Sequence, residues 1–315
     1  MVKFEMDANT FWKNFSLGKE LDIAGSFVFN GLKAFDVMDN FSQEDEIFEF
    51  FYNISVGIER LAKIVVILIE HNDEIDQDKF EKSLITHNHL DLMRRISTRY
   101  NCGFSNLHNE FLALLSNFYK TMRYDRYILN NIQFHDKERS SLIKFLEKHL
   151  AVEIEYMDIF VTSNEWRFKR FIGKIVGKIC EVFYGLVKIE AELQNIYTYE
   201  LRTESKASAI FLSKKYNFYD DQIVWKEIVI FLMNTHDSSG ILDFIREIDP
   251  LNFDPELVNQ YIDVFNSDLK KHNYIYEVDE YYQELENKKE RMNKLELLGD
   301  SKVFFNYREK NIEDD

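Results

Sequence analysis

The chain has 315 residues, of which 45% are hydrophobic, and it contains 28 Phe and 17 Tyr. That composition supports a large buried core and excludes a globally disordered chain. The formal net charge of -16 opposes broad, nonspecific binding to nucleic acid, because phosphates are repelled at long range. Any contact with nucleic acid must therefore come from a local basic patch.

The two cysteines, Cys102 and Cys180, are too few for a disulfide framework, and neither lies in a CxxC pair that would suggest zinc or thiol-redox chemistry. The first fifteen residues carry acids and lack the apolar segment of a signal peptide. The most apolar run, residues 64–70, is too short to span a bilayer. These features predict a soluble, cytoplasmic protein that does not associate with membranes.

The chain is predicted to be all-α. It contains only two prolines, Pro250 and Pro255, so long helices are permitted up to residue 249. No alternating strand pattern competes with the helical periodicity. The predicted helices cover residues 18–38, 44–70, 88–98, 104–128, 137–158, 164–198, 202–214, 221–234, 240–247, 255–269 and 278–298.

The helix at 44–70 has one continuous apolar stripe, with spacings that alternate between four and three residues. Acidic residues in its first turn suit the positive end of the helix dipole. The stripe consists of Ile47, Phe51, Ile54, Ile58, Leu61, Val65 and Leu68.

The helix at 104–128 ends in a cluster of arginine and tyrosine. Spaced at 100° per residue, Tyr119, Arg123 and Arg126 lie along the flank of its core stripe and face a neighbouring helix or a cleft. The opposite side, facing solvent or a partner, carries Lys120, Tyr124 and Tyr127.

A guanidinium beside a core stripe is costly to desolvate without an acceptor. Glu59, on the flank of the 44–70 helix, is the expected partner of Arg123 or Arg126. One interpretation is a structural ion pair between two bundle helices. The other is that the arginines line an anion site and bind phosphate through their forked donors.

The helix at 164–198 has the most regular apolar seam, and on its other side Arg167, Arg170, Lys174 and Lys178 form a basic stripe. Such a stripe is either a solvated face or a contact for a phosphate backbone or an acidic partner. Its Gly173 would allow close packing within the protein. The seam consists of Phe168, Ile172, Ile175, Ile179, Val182, Leu186, Ile189, Leu193 and Ile196.

The least helical stretch near the middle of the chain is 159–164. We therefore expect an N-terminal helical bundle at residues 1–160 and a C-terminal helical region at 161–299, built on the long helix. Residues 300–315 form a charged tail that we expect to be flexible.

The N-terminal region resembles the HEPN group of helical domains, which occur in prokaryotic defence and toxin–antitoxin proteins. The resemblance covers about residues 18–135. It rests on the helix order and on the stretches "IAGSFVFNGLKAF" (23–35), "FYNISVGIERLAKIVVIL" (51–68), "THNHLDLM" (86–93) and "FYKTMRYDRY" (118–127).

The resemblance implies an antiparallel four-helix bundle that forms a homodimer and acts as a metal-independent ribonuclease. In that group an arginine is followed, after four to six residues, by a histidine. This chain departs from the pattern, because Arg126 and His135 have eight residues between them. Carried onto this sequence, Arg123 and Arg126 would hold phosphate and His135 would be the acid or base.

Other chemistry has less support. His71, His87, His89 and Asp91 are interpreted as polar surface or bundle-end residues rather than metal ligands. No Gly-rich phosphate loop, GxSxG or dinucleotide fingerprint is present, so we expect no cofactor. Two functions stay open: an RNA-binding or RNA-cleaving defence protein, and a non-catalytic interaction protein that binds a protein from the same operon.

Overall fold

The computed structural model describes residues 7–125, 137–157, 161–236, 240–265, 268–299 and 303. The prediction of an all-α protein is confirmed, because the only β feature among these residues is an isolated bridge between Asn40 and Ser163. The chain divides into two compact units, Met1–Phe218 and Tyr219–Asp315.

The first unit contains ten α-helices among its described residues, and two π-helical turns each join one helix directly to the next. Turn Trp12–Ser16 joins α1 to α2, and turn Phe118–Met122 joins α6 to α7. The helices are α1 (Ala8–Phe11), α2 (Leu17–Val37), α3 (Glu44–Glu70), α4 (Gln77–Leu84), α5 (His89–Ser97), α6 (Asn106–Asn117), α7 (Arg123–Asp125), α8 (Lys137–Leu150), α9 (Trp166–Leu193) and α10 (Lys206–Phe211).

Helix α3 is the centre of the first unit. Its whole predicted apolar stripe is buried, and the helix packs against α2, α5, α8 and α9. A helix with apolar residues on several sides must be covered by several neighbours, as α3 is. The polar flank of α3 then lies between α5 and the end of α6.

Helix α9 buries most of its seam inside the same unit, against α3, α6 and α10. A Cβ on Gly173 would lie 2.2 Å from the carbonyl oxygen of Tyr216, so the glycine allows the close packing that the sequence indicates. The helix ends at Leu193, before the predicted end at residue 198, and Ile189 and Leu193 are exposed. Most of the seam is therefore covered by this chain, and its last positions in the helix are left exposed.

The boundary between the units lies at Phe218 and Tyr219 and not at residues 160 and 161, where the sequence predicts it. The physical reason is the seam of α9, which needs α3 to cover it and so places residues 161–218 in the first unit. Of the predicted tail at 300–315, all residues except 303 lie outside the described part of the chain.

The second unit consists of shorter helices with little burial. Among its described residues Tyr282 is the only buried hydrophobic side chain. The predicted helix at 278–298 is split between two helices around residue 286. The elements are α11 (Tyr219–Asn234), α12 (Gly240–Arg246), a 3-10 turn (Pro255–Leu257), α13 (Val258–Val264), α14 (Asp268–Glu284) and α15 (Lys288–Glu296).

No helix in the described ranges is long and apolar enough to cross a membrane.

Candidate functional site around Tyr119

Five side chains of the first unit form a polar cluster beside the core, which we call the Tyr119 cluster: Glu59, Lys63, His87, Tyr119 and Arg123. Helix α3 supplies the first two on its polar flank, and the segment before α5 supplies His87. The π-helical turn after α6 supplies Tyr119, and α7 begins with Arg123.

Glu59 is the buried anion of the cluster, with a side chain that is 7% exposed. Its Oε1 accepts a hydrogen bond from Lys63 Nζ at 2.6 Å, and its Oε2 lies 3.1 Å from His87 Nδ1. A carboxylate can only accept, so Nδ1 carries the proton and Nε2 is the imidazole nitrogen left for proton exchange. The His87 side chain is 47% exposed, which makes it accessible to a ligand.

The ring of Tyr119 contacts both the His87 imidazole and the Arg123 guanidinium. Its ring meets His87 edge to face at 4.7 Å between centroids, and the Arg123 guanidinium carbon lies 3.8 Å from the Tyr119 ring centre. Burial and the charge of Glu59 raise the pKa of Tyr119, against the opposing effect of Arg123. The tyrosine is therefore a neutral platform for a cation on one side and an imidazole on another.

Arg123 is held by aromatic rings and not by Glu59. Its guanidinium carbon lies 4.5 Å from the Tyr124 ring centre, and Nη2 donates to the Tyr124 hydroxyl at 2.6 Å. Among the described residues, its buried Nε has no hydrogen-bond partner. Among the side chains that the structure describes, no carboxylate lies within ion-pair distance of Arg123, so Arg123 does not form the expected pair with Glu59. Arg126, the other expected partner of Glu59, lies outside the described residues.

A second histidine lies behind the cluster. His89 is 1% exposed, and its Nε2 donates to the carbonyl oxygen of Ser55 at 2.9 Å. Burial lowers the pKa of His89, against the effects of this hydrogen bond and of Glu59, so its ring is held neutral. Through this hydrogen bond His89 connects α5 to α3.

The cluster carries two permanent cations, Lys63 and Arg123, against one carboxylate. A local excess of positive charge in a chain of net charge -16 is the condition under which an anion can bind. An imidazole backed by a carboxylate, next to a guanidinium, can also move a proton while a negative charge is stabilised.

Some of the predicted site residues lie together in the structure, and others lie outside the described residues. Tyr119, Arg123 and Glu59 are brought together, and Lys120 is exposed as expected. Tyr124 contacts Arg123, its neighbour in the chain, although the prediction from sequence places the two residues on opposite sides of the helix. The predicted Arg126, Tyr127 and His135 lie outside the described residues.

The basic stripe on α9 is exposed, as predicted, at Arg167, Arg170, Lys174 and Lys178. Arg167 pairs with Glu165 at 3.2 Å between Nε and Oε2.

Lys178, at one end of the stripe, and the Tyr119 cluster lie near opposite ends of α6. Burial, and then the charge of Lys178, lowers the pKa of His108 near the start of α6, whereas Tyr119 comes after the end of that helix. The two ends are separated by about 18 Å at the usual helical rise. Lys178 therefore does not form part of the cluster.

The histidines considered as metal ligands have other partners. His71 is buried and its Nε2 lies 2.9 Å from Gln77 Oε1, while His87 and His89 contact Glu59 and Ser55. No group of three or more potential ligands that could hold a metal occurs among the described residues.

Sequence reasoning missed the pairing of Glu59 with His87. Both residues attract notice in the sequence, Glu59 on the flank of a helix and His87 in an HNH stretch, but 28 positions separate them. Only the packing of the segment before α5 against α3 brings the imidazole to the carboxylate, and no local pattern encodes that contact.

Comparisons with protein-family models, with curated proteins and with solved structures gave no match to this chain. The resemblance to the HEPN group therefore stays a prediction from the residues quoted above.

Proposed function

We propose that this chain is a HEPN-like defence or toxin-type protein that binds RNA and cleaves it without a metal, at the Tyr119 cluster. One observation carries the proposal: the His87 imidazole and the Arg123 guanidinium contact the same tyrosine ring, and a buried carboxylate backs the imidazole. These are the groups that proton transfer and phosphate stabilisation need.

In the proposed reaction the ribose 2′-hydroxyl attacks the adjacent phosphorus and the bond to the 5′-oxygen breaks. The products are a 2′,3′-cyclic phosphate and a 5′-hydroxyl. His87 Nε2 takes the proton from the 2′-hydroxyl, while Arg123 and Lys63 stabilise charge on the phosphate oxygens. His135 is the proposed acid that protonates the leaving oxygen, and Arg126 the second phosphate ligand.

The test is cleavage of end-labelled RNA in the presence of EDTA, with detection of the cyclic phosphate. His87→Ala and Arg123→Ala should each reduce the rate by about 100-fold or more. His108→Ala, outside the cluster, should not. Arg126→Ala and His135→Ala test the two residues assigned from sequence. If the wild-type chain leaves RNA intact, the catalytic proposal is refuted.

The α9 stripe is proposed to contact the RNA backbone, because Arg170, Lys174 and Lys178 are exposed along one side of the helix. Lys174→Glu should weaken binding and reduce the slope of log K against log salt by about 0.7 for each phosphate that is no longer bound. Lys144→Glu, an exposed lysine on α8, is the matched control. Equal slopes for both variants would remove the stripe from the interface.

A second candidate function, a non-catalytic interaction protein, is favoured by a different observation. Helix α11 is apolar and has no buried residue. A helix of that kind is expected to be covered by another molecule. Co-purification of a stoichiometric protein from the same operon, without the absorbance of RNA, would support this function.

A further inference from the structure

The apolar residues of α11 are distributed around the whole helix and remain open to solvent. Helices that are hydrophobic on every side are normally buried. A helix of this length is also marginally stable in water when it stands alone. The exposed residues are Tyr219, Ile223, Val224, Trp225, Ile228, Ile230, Phe231, Leu232 and Met233.

Within the described part of the second unit, α11 contacts other residues, but none of its side chains is buried. The Trp225 ring stacks on the Phe265 ring at 5.5 Å between centroids, with an angle of 9° between the planes. Phe231 is 53% exposed and Met233 is 80% exposed. The helix therefore presents a continuous apolar surface that a partner can bury.

The charge of the chain indicates which partner fits. Residues 219–315 contain 23 Asp and Glu against 11 Lys and Arg, so they contribute -12 of the total of -16. Asp220 and Asp221 stand in the first turn of α11 itself. The apolar surface thus belongs to a strongly acidic unit, whereas the first unit is nearly balanced.

We propose that α11 docks a cationic amphipathic helix of a partner protein, with apolar side chains against α11 and Lys or Arg towards the surrounding acids. The inference rests on the second candidate function and names the chemistry of its partner. A second copy fits less well, because two units of charge -12 would be brought together. An anionic lipid surface is disfavoured for the same reason.

The test uses the full chain and two labelled synthetic peptides of equal length, one built from Leu and Lys and the other from Leu and Glu. Fluorescence anisotropy should show binding of the Leu/Lys peptide, weakened by salt, and none of the Leu/Glu peptide. The variant Phe231→Asp should lose affinity for the Leu/Lys peptide by about tenfold or more. The added carboxylate alone would favour a cationic peptide. A loss of affinity would therefore report on the apolar contact.

The controls separate this proposal from the others. Ile85→Asp changes a side chain that is 81% exposed in the first unit, and it should bind peptide as the wild type does. Arg123→Ala should also bind peptide normally, and Phe231→Asp should cleave RNA normally. The double variant of Asp220→Asn and Asp221→Asn should weaken peptide binding several-fold.

Three results would overturn the proposal. The first is unchanged peptide affinity in Phe231→Asp, and the second is absence of binding to the wild type. The third is a wild-type dimer in sedimentation that becomes a monomer in Phe231→Asp, which would assign α11 to a second copy of the chain.

Discussion

Helices α9 and α11 are both rich in apolar residues, yet one is buried and the other is not. In α9 the apolar residues lie on one side and the basic stripe on the other, and fourteen of its residues are buried. In α11 the apolar residues lie on every side and none is buried. Segregation of apolar and polar residues, and not their total number, therefore lets a single chain cover its own helix.

The difference between α9 and α11 is tested most strongly by an Ile→Ala substitution in each helix. Ile175→Ala, at a position 1% exposed in α9, should lower the free energy of unfolding of the first unit by about 2–5 kcal/mol. Ile230→Ala, at a position 53% exposed in α11, should change stability by about 0.5 kcal/mol or less. Urea unfolding followed by circular dichroism measures both, and equal losses would contradict the contrast.

A smaller effect is expected from two glycines within α9. Gly173→Ala should destabilise the first unit by about 1–3 kcal/mol, because the new methyl group would meet the carbonyl oxygen of Tyr216. Gly185→Ala has open space around the new methyl group and should stabilise the helix by about 0.5–1 kcal/mol. Thermal unfolding of the two variants should therefore shift in opposite directions. If both variants unfolded at a lower temperature than the wild type, the close approach at Gly173 would not be the cause of the destabilisation.

The smallest effect is a dependence on pH. Burial lowers the pKa of His89 in the folded protein, so the unfolded chain binds the proton more readily. The stability that the neutral ring provides is complete above the unfolded pKa of about 6.5 and is lost as pH falls below it. Unfolding of the first unit should become easier between neutral and mildly acidic pH. His89→Gln should flatten that part of the profile, and an unchanged slope would assign the effect to other groups.

The sequence predicts helices well where an apolar stripe is continuous. The bounds of α3 match the predicted range of 44–70, because acids begin the helix and its stripe runs unbroken. The short α4, with one buried residue, was missed because one apolar contact makes no periodic pattern. The domain boundary was misplaced for a different reason. The pattern of α9 indicates that it needs a partner, but not that the partner is α3.

The candidate site was predictable in part. The flank positions of Glu59, Tyr119 and Arg123 follow from helical spacing. The contact of Arg123 with Tyr124 does not, because it joins two chain neighbours that helical spacing places about 100° apart. The role of His87 required the long-range packing of α5 on α3.

The π-helical turn Phe118–Met122 also bears on how such a site can arise or disappear. A turn of this kind corresponds to one residue more than an α-helix needs for the same path. Deleting the exposed Lys120 would return the segment to α-helical register and rotate the side chains beyond it by about 100° relative to Tyr119. Arg123 would then stand three residues from Tyr119 instead of four, and the buried Met122 would rotate with it. The loss of a single codon would thus change the placement of the guanidinium and the packing of the core together.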